Sequence, residues 1–254
     1  MFKLRTGYLI TGIVTGCIIL FSFLGTIPDG KLHVVFCSVG QGDAAYIRFP
    51  DGRDMVVDGG PDDKILGCLG RHMPFWDRSI DIVLLTHPQK DHMQGLNSVL
   101  ERYDVEYFVR SDVDNDTEGY KKLVSVIAKK AVPVRFVTTG EQINIGSAII
   151  SMIWPSGEQI AKGKNFISAL QKSSTVLGAS AVGELNDYSL VFDLHYGMFD
   201  VLFTGDADNH VNKNFVGAPL ADEQVEVLKV PHHGSRTGMT EDFLDWVFPR
   251  SRAG

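Results

Sequence analysis

Positive charge is scarce in this chain. Lysine and arginine number 24 against 31 aspartates and glutamates, the formal net charge is −7, and no long basic run occurs. That excludes a protein that grips nucleic acid through bulk electrostatics, though not one in which bound metal ions supply positive charge locally. Cysteine is scarcer still. Cys17, Cys37 and Cys68 are odd in number and lack C-x-x-C spacing. This argues against a disulfide framework or a structural zinc knot, and all three are expected to be ordinary small apolar residues. No internal repeat is visible, and no calcium-loop spacing occurs in the acidic stretch 112–118, which reads as a solvated loop. Apolar residues make up 44% and charged residues 22% of the 254. Those fractions exclude a disordered chain or a multi-span membrane protein and leave one large domain or two small ones with a real core.

One long hydrophobic run is present. Residues 8–27 carry no charge, Lys3 and Arg5 precede them, and Pro28-Asp29-Gly30 closes the run. About 20 apolar-rich residues reach across a bilayer as a helix, and basic residues before the span keep the N-terminus cytoplasmic. The expected organisation is therefore a cytoplasmic tip and transmembrane signal-anchor over residues 1–30, followed by an extracytoplasmic domain over 31–254. A lipoprotein signal at Val14-Thr15-Gly16-Cys17 ranks second, because the chain stays apolar after the cysteine. A cleaved signal peptide ranks third, because Gly25-Thr26-Ile27 is a poor exit site.

The remainder alternates short strands and helices, an α/β (α+β) pattern. Strands are expected at 32–39, 44–49, 55–58, 80–86, 105–109, 134–137, 148–153, 189–194, 199–203 and 225–230. Helices are expected at 94–102 and at 120–131, the latter with Leu123, Val124, Ile127 and Ala131 on one face. Residues 156–185, rich in Ser, Gly, Ala and Lys, read as a partly helical insertion on the surface.

Histidine and aspartate gather where strands end. Thr86-His87-Pro88-Gln89-Lys90-Asp91-His92 follows the buried strand 80–86, so several imidazole and carboxylate groups point at one spot. These are the ligands that zinc, manganese or iron prefer. Thr204-Gly205-Asp206 and Pro231-His232-His233-Gly234-Ser235 follow two further strands. Asp58, in Val57-Asp58-Gly59-Gly60, ends a fourth and is placed to orient a ligating histidine from behind. A single loop histidine is most simply a hydrogen-bonded residue; four such clusters in one chain are not. His33, His72, His195 and His210 have no such context. Lys90, Lys229 and Arg236 are the cationic side chains near the motifs.

The ordered set Val39-Gly40-Gln41-Gly42-Asp43-Ala44, Val57-Asp58-Gly59-Gly60, Leu85-Thr86-His87-Pro88, Asn186-Asp187-Tyr188-Ser189-Leu190-Val191, Thr204-Gly205-Asp206 and Leu228-Lys229-Val230-Pro231-His232-His233-Gly234-Ser235 resembles the metallo-β-lactamase superfamily. More narrowly, it is similar to the extracytoplasmic hydrolase domain of the ComEC family, which takes part in DNA uptake. The resemblance covers nearly all of the chain after Lys31. It implies an αββα sandwich with one or two divalent ions, Zn or Mn, where the two sheets meet. It makes Asp91, His92 and His232 ligands of one ion, His87 a ligand of the other and Asp206 a bridge, with His233 the competing choice for the last ligand. Asp91 and Asp206 would carry the catalysis. Gln41 and Asp43 would lie near the site, and Ser235 would meet a substrate oxygen.

The chain departs from the family in named places. Gln89 stands where the fuller His-x-His-x-Asp-His pattern has its second histidine, and Ser38 stands where ComEC-like chains have Asp. The residues after Glu241–Val247 do not provide the strand and histidine-bearing loop that follow in the family, so the C-terminal strands are expected to be missing. The resemblance implies a membrane-anchored, metal-dependent phosphodiesterase or nuclease acting on single-stranded nucleic acid, with no protein partner indicated. Two alternatives are carried beside it: a hydrolase of small phosphoesters or lactones, and a non-catalytic remnant that binds a ligand or partner.

Overall fold

In the computed structural model, residues 6–24, 28–172, 185–222 and 225–249 are described; side chains are described over 7–21 in the first helix and up to 164 in the fifth. Much of the expected insertion, residues 173–184, and the chain end, 250–254, lie outside them.

Two sheets pack face to face. The first contains β1 (His33–Phe36), β2 (Ala45–Arg48), β3 (Asp54–Val57), β4 (Ser79–Leu85), β5 (Asp104–Arg110) and β6 (Val134–Phe136), in that spatial order. β1 to β3 are antiparallel, while β3 to β6 are parallel. The second contains β7 (Gln142–Ile145), β8 (Ala148–Trp154), β9 (Val191–Tyr196), β10 (Phe199–Phe203) and β11 (Val227–Leu228), antiparallel except for the parallel β10–β11 pair. Strand alternation separates three cores. Ile47, Met55, Leu84 and Val109 from the first sheet meet Ile150, Phe192, Leu194 and Phe203 from the second. The outer face of the first sheet carries Val56, Val83, Leu85 and Phe108 against α2 (Lys64–His72), α3 (Lys90–Arg102) and α4 (Glu118–Lys129). The outer face of the second carries Val191 and Leu202 against α6 (Asn209–Asn212) and α7 (Glu241–Val247). This is the mixed αββα sandwich that the motifs implied.

Helix α4 buries Tyr120, Leu123 and Ile127; Val124, expected on that face, is 43% exposed, and Ala131 lies beyond the helix in a left-handed turn. In the insertion, α5 (Gly157–Lys172) supplies the expected helix.

Two expectations are corrected. Helix α1 (Thr6–Leu24) forms in the apolar run, but among the described residues no helix is long and apolar enough to cross a membrane. Cys37 and Cys68 are not independent apolar residues. They form a disulfide with Cα atoms 5.8 Å apart, joining the end of β1 to α2. Cys17 is the free cysteine.

Candidate metal centre

Parallel pairing decides where the chemistry gathers. β3 and β4 run parallel, so Asp58 and Thr86-His87 emerge at one edge of the first sheet. β10 and β11 run parallel, so Asp206 and the Pro231–Gly234 turn emerge at one edge of the second. The two edges are sewn together where the Leu190 amide donates to the Thr86 carbonyl at 2.9 Å. The loop between β1 and β2 folds over the same spot. There the Asp43 amide donates to the Asp91 carbonyl at 3.2 Å. Gly42 permits this approach: its φ is 138°, and a Cβ would lie 2.3 Å from the Asp91 oxygen.

Asp43, His92, Asp206 and His233 converge, with one ligand-type atom from each lying within 4.8 Å of the others. His92 is the second residue after the start of α3 and is fully buried. Its Nδ1 meets Asp58 Oδ2 at 2.8 Å, and its Nε2 faces Asp206 Oδ1 at 3.2 Å. Asp58 is held in a left-handed conformation (φ 56°), where its carboxylate also accepts from the Thr86 amide at 2.8 Å and the Thr86 hydroxyl at 2.7 Å. It is thus the orienting group behind His92, fixing which imidazole nitrogen faces the cluster.

The adjacent histidines diverge. Both adopt positive φ, 48° and 52°, which rotates successive side chains apart. His233 turns inward. Its Nε2 lies 3.2 Å from Asp206 Oδ2 and 3.4 Å from Asp91 Oδ2, and its Nδ1 lies 3.2 Å from Asp43 Oδ1. His232, the first choice from sequence, points its Nδ1 toward Asp208 Oδ2 at 3.4 Å. His87 packs beside His92 with ring centroids 4.1 Å apart and planes tilted by 53°, fully buried, and its Nε2 has no hydrogen-bond partner. Asp91 reaches the cluster through His233. Gln89 donates to Asn186 Oδ1 instead of joining it. Gln41 is exposed on the loop, and the Ser235 hydroxyl pairs with that of Thr237 at 3.1 Å.

Lys229, noted from sequence only as a nearby cation, penetrates the site. Its ammonium pairs with Asp43, lies 3.9 Å from Asp206 Oδ1 and donates to the Gly205 carbonyl at 3.2 Å. The cause is the last residue pair of β11: Lys229 follows Leu228, and its amide donates to Leu202 at 2.9 Å, so the side chain is delivered at the sheet edge.

Charge is distributed unequally. Burial works against charge on His92, but Asp58 and Asp206 outweigh it and push its pKa up to about 10. Hydrogen bonds to Asp206, Asp43 and Asp91 push His233 up to about 11. Burial, then the neighbouring His92, pushes His87 down to about 3, so its ring is neutral. Despite burial, the imidazoles hold Asp206 and Asp91 below the ordinary carboxylate range, and His233 and Lys229 do the same for Asp43.

These residues fit a divalent cation. The donor set mixes imidazole nitrogen with carboxylate oxygen, and the neutral, buried His87 nitrogen without a partner is the form a metal accepts. One divalent ion exchanged for the two imidazolium protons of His92 and His233 would leave the net charge of the cluster unchanged.

Residues 53–168 match the family model described as the beta-lactamase superfamily domain. Over 260 residues the chain is 20% identical to ComE operon protein 3 of Bacillus subtilis (strain 168), covering 96% of this chain and 30% of that protein. Over 109 residues it is 30% identical to Microtubule-associated protein 1A of Homo sapiens, covering 43% of this chain and 4% of that protein. The chain therefore spans less than a third of the length of either relative. Among solved structures it is similar to the metallo-beta-lactamase fold protein YhfI from Bacillus subtilis, at 16% identity and a TM-score of 0.43 over 69% of this chain and 61% of that one. The match of residues 53–168 to the beta-lactamase superfamily model agrees with the resemblance that the motifs carry.

Proposed function

We propose that this chain is a metal-dependent phosphodiesterase that cuts single-stranded nucleic acid outside the cytoplasm. The observation that carries this reading is the position of Lys229, whose ammonium lies against Asp43 and 3.9 Å from Asp206 beside the cation-binding cluster. A phosphodiester brings a negative charge that grows on the non-bridging oxygens as the nucleophile attacks, and a fixed ammonium at that place offsets it. Asp43, His92, Asp206 and His233 would hold the ion, with His87 beside them. A divalent cation there supplies Lewis acidity to water and to phosphoryl oxygens. Asp206, held as a carboxylate, accepts a hydrogen bond from the attacking water and orients it. Asp58 keeps His92 Nε2 turned to the same point.

Gln89 offers an amide where an imidazole would complete the ligand pattern, and an amide is the weaker ligand, which favours one tightly held ion over two. The Cys37–Cys68 disulfide supports an extracytoplasmic location, since such bonds persist in oxidising compartments. The fold alone does not choose the bond that is cut.

The test is hydrolysis of labelled single-stranded DNA, a bis-nitrophenyl phosphate and a lactone, each with Mn²⁺ or Zn²⁺. DNA cleavage that stops on chelation and in His92→Ala supports the reading. Opening of the lactone with both phosphodiesters intact moves the activity to another ester class, and a metal-loaded protein that turns over none of the three is a binding protein.

A further inference from the structure

A second group of imidazole and carboxylates lies on the outer face of the second sheet. In the antiparallel β9–β10 pair, His195 stands opposite Asp200 and Asp193 opposite Leu202. Alternation along the strands puts Asp193, His195 and Asp200 on one face. His195 Nδ1 lies 2.6 Å from Asp200 Oδ1 and 3.9 Å from Asp222 Oδ2. Two successive amides close over this face: Ala221 donates to Asp193 Oδ2 and Asp222 to Asp200 Oδ2, both at 3.1 Å. Glu226 adds a fourth carboxylate, accepting from the Asp200 amide at 2.7 Å.

The group is short of positive charge. Asp193 and Asp200 are 1% and 0% exposed, and among the described residues His195 is the one cationic side chain within ion-pair distance of Asp200 or Asp222. No ion pair to Asp193 is found among those residues, and its Oδ1 is buried without a hydrogen-bond partner. A buried carboxylate oxygen with neither donor nor counter-charge is costly, and folded proteins answer such groups by pairing or by coordinating a cation. His195 also lines a groove of about 330 Å³ beside Ala218, Leu220 and Ala221, which gives an ion and its waters a route in.

We propose that His195, Asp200 and Asp222, with Asp193 behind them, form a second divalent-cation site. One imidazole among carboxylates suits Zn²⁺ or Mn²⁺ better than Ca²⁺ or Mg²⁺. The three ligand atoms lie within 4.8 Å of one another, so small side-chain rotations bring them to a shared ion at roughly 2.0–2.2 Å each. The site is structural. It clamps the segment at residues 221–222 onto the start of β10, at the opposite end of that strand from the turn that carries Asp206. β10 delivers Asp206 and β11 delivers His233, so the clamp steadies the half of the catalytic edge that comes from the second sheet.

The test counts ions by elemental mass spectrometry on the full chain equilibrated with Zn²⁺ or Mn²⁺, alone and in the Asp206→Ala background. Asp222 is a surface residue, so Asp222→Asn leaves the fold intact, as circular dichroism will verify. The expected result is that Asp222→Asn lowers the content by one ion per chain in both backgrounds, while DNA hydrolysis by the otherwise unaltered chain persists. In the Asp206→Ala background, added Zn²⁺ should raise Tm, and Asp222→Asn should abolish that rise. Ion content unchanged by both Asp222→Asn and His195→Ala in folded protein would overturn the proposal and leave the group a hydrogen-bonded carboxylate cluster. The ion count and the Tm shift do not depend on which ester the first site cleaves.

Discussion

His233 Nε2 and Asp206 Oδ2 face each other at 3.2 Å, although one side chain leaves the turn after β11 and the other the turn after β10. Neither group closes the cluster alone; the parallel pairing of those two strands brings them together. His233→Ala should therefore weaken Zn²⁺ or Mn²⁺ binding by more than the ~10–100-fold typical of losing an outer partner. His232→Ala, which removes a side chain turned toward Asp208, should leave that affinity nearly unchanged. Competition titration with a chromogenic chelator measures both; equal losses in the two variants would show that the turn is read the wrong way round.

Asp58 touches the cluster only through His92. Asp58→Asn keeps the shape and removes the charge, so metal affinity should fall ~10–100-fold while the first-sheet fold persists. Since the same carboxylate also accepts from Thr86, some loss of stability accompanies it. A chelator titration set beside a urea melt separates the two effects.

Metal binding should release protons. His92 and His233 stand at about 10 and 11, so at neutral pH both must deprotonate to become ligands. Apparent affinity should rise with pH up to those values, by up to ~100-fold per pH unit when two protons leave. Calorimetry in buffers of different ionisation enthalpy counts them. In chelator-treated protein the sign for stability is opposite. Both folded pKa values lie above the ordinary histidine value, so their stabilisation is complete below about pH 6.5 and disappears as pH rises through 10 to 11. Urea midpoints at pH 7 and pH 11 test this, with the lower midpoint expected at pH 11.

Lys229→Met should lower kcat on a phosphodiester by roughly 10²-fold, the usual effect of deleting one fixed donor at a developing charge. If the ammonium serves only to balance Asp43, the variant will bind metal differently but keep its turnover. Steady-state kinetics at saturating metal distinguish these results.

Reducing the Cys37–Cys68 bond, or replacing both residues with alanine, should cost about 3–4 kcal/mol of stability, given a separation of 31 residues. Denaturant unfolding with and without reductant measures the difference. An unchanged midpoint would show that the link restrains nothing that unfolding releases.

What could be read from the chain was set by local pattern. The buried run of β4 and the strand-end histidines declared themselves, because hydrophobicity and motif spacing are local properties. Helix α2 was missed although Ile65, Cys68 and Leu69 have helical spacing, because Gly67 and Gly70 lower its propensity and packing against the sheet supplies the rest. Strand β7 hid in four residues, Gln142–Ile145, too few to register as alternation. The disulfide joins residues from separate elements, and no local pattern encodes that meeting. Choosing His233 over His232 required the two positive φ values, which residue type does not reveal. Asp43 was expected beside the site and lies within the candidate metal-holding group, because its loop is pinned to Asp91 across the chain.

Each sheet contributes half of that group: Asp43 and His92 come from the first, Asp206 and His233 from the second. Ion affinity therefore works as a strain gauge for the seam between the sheets. A change inside that seam that removes no ligand, such as Phe192→Ala, should loosen the ion before it unfolds the protein, and bound ion should in turn protect the seam from opening.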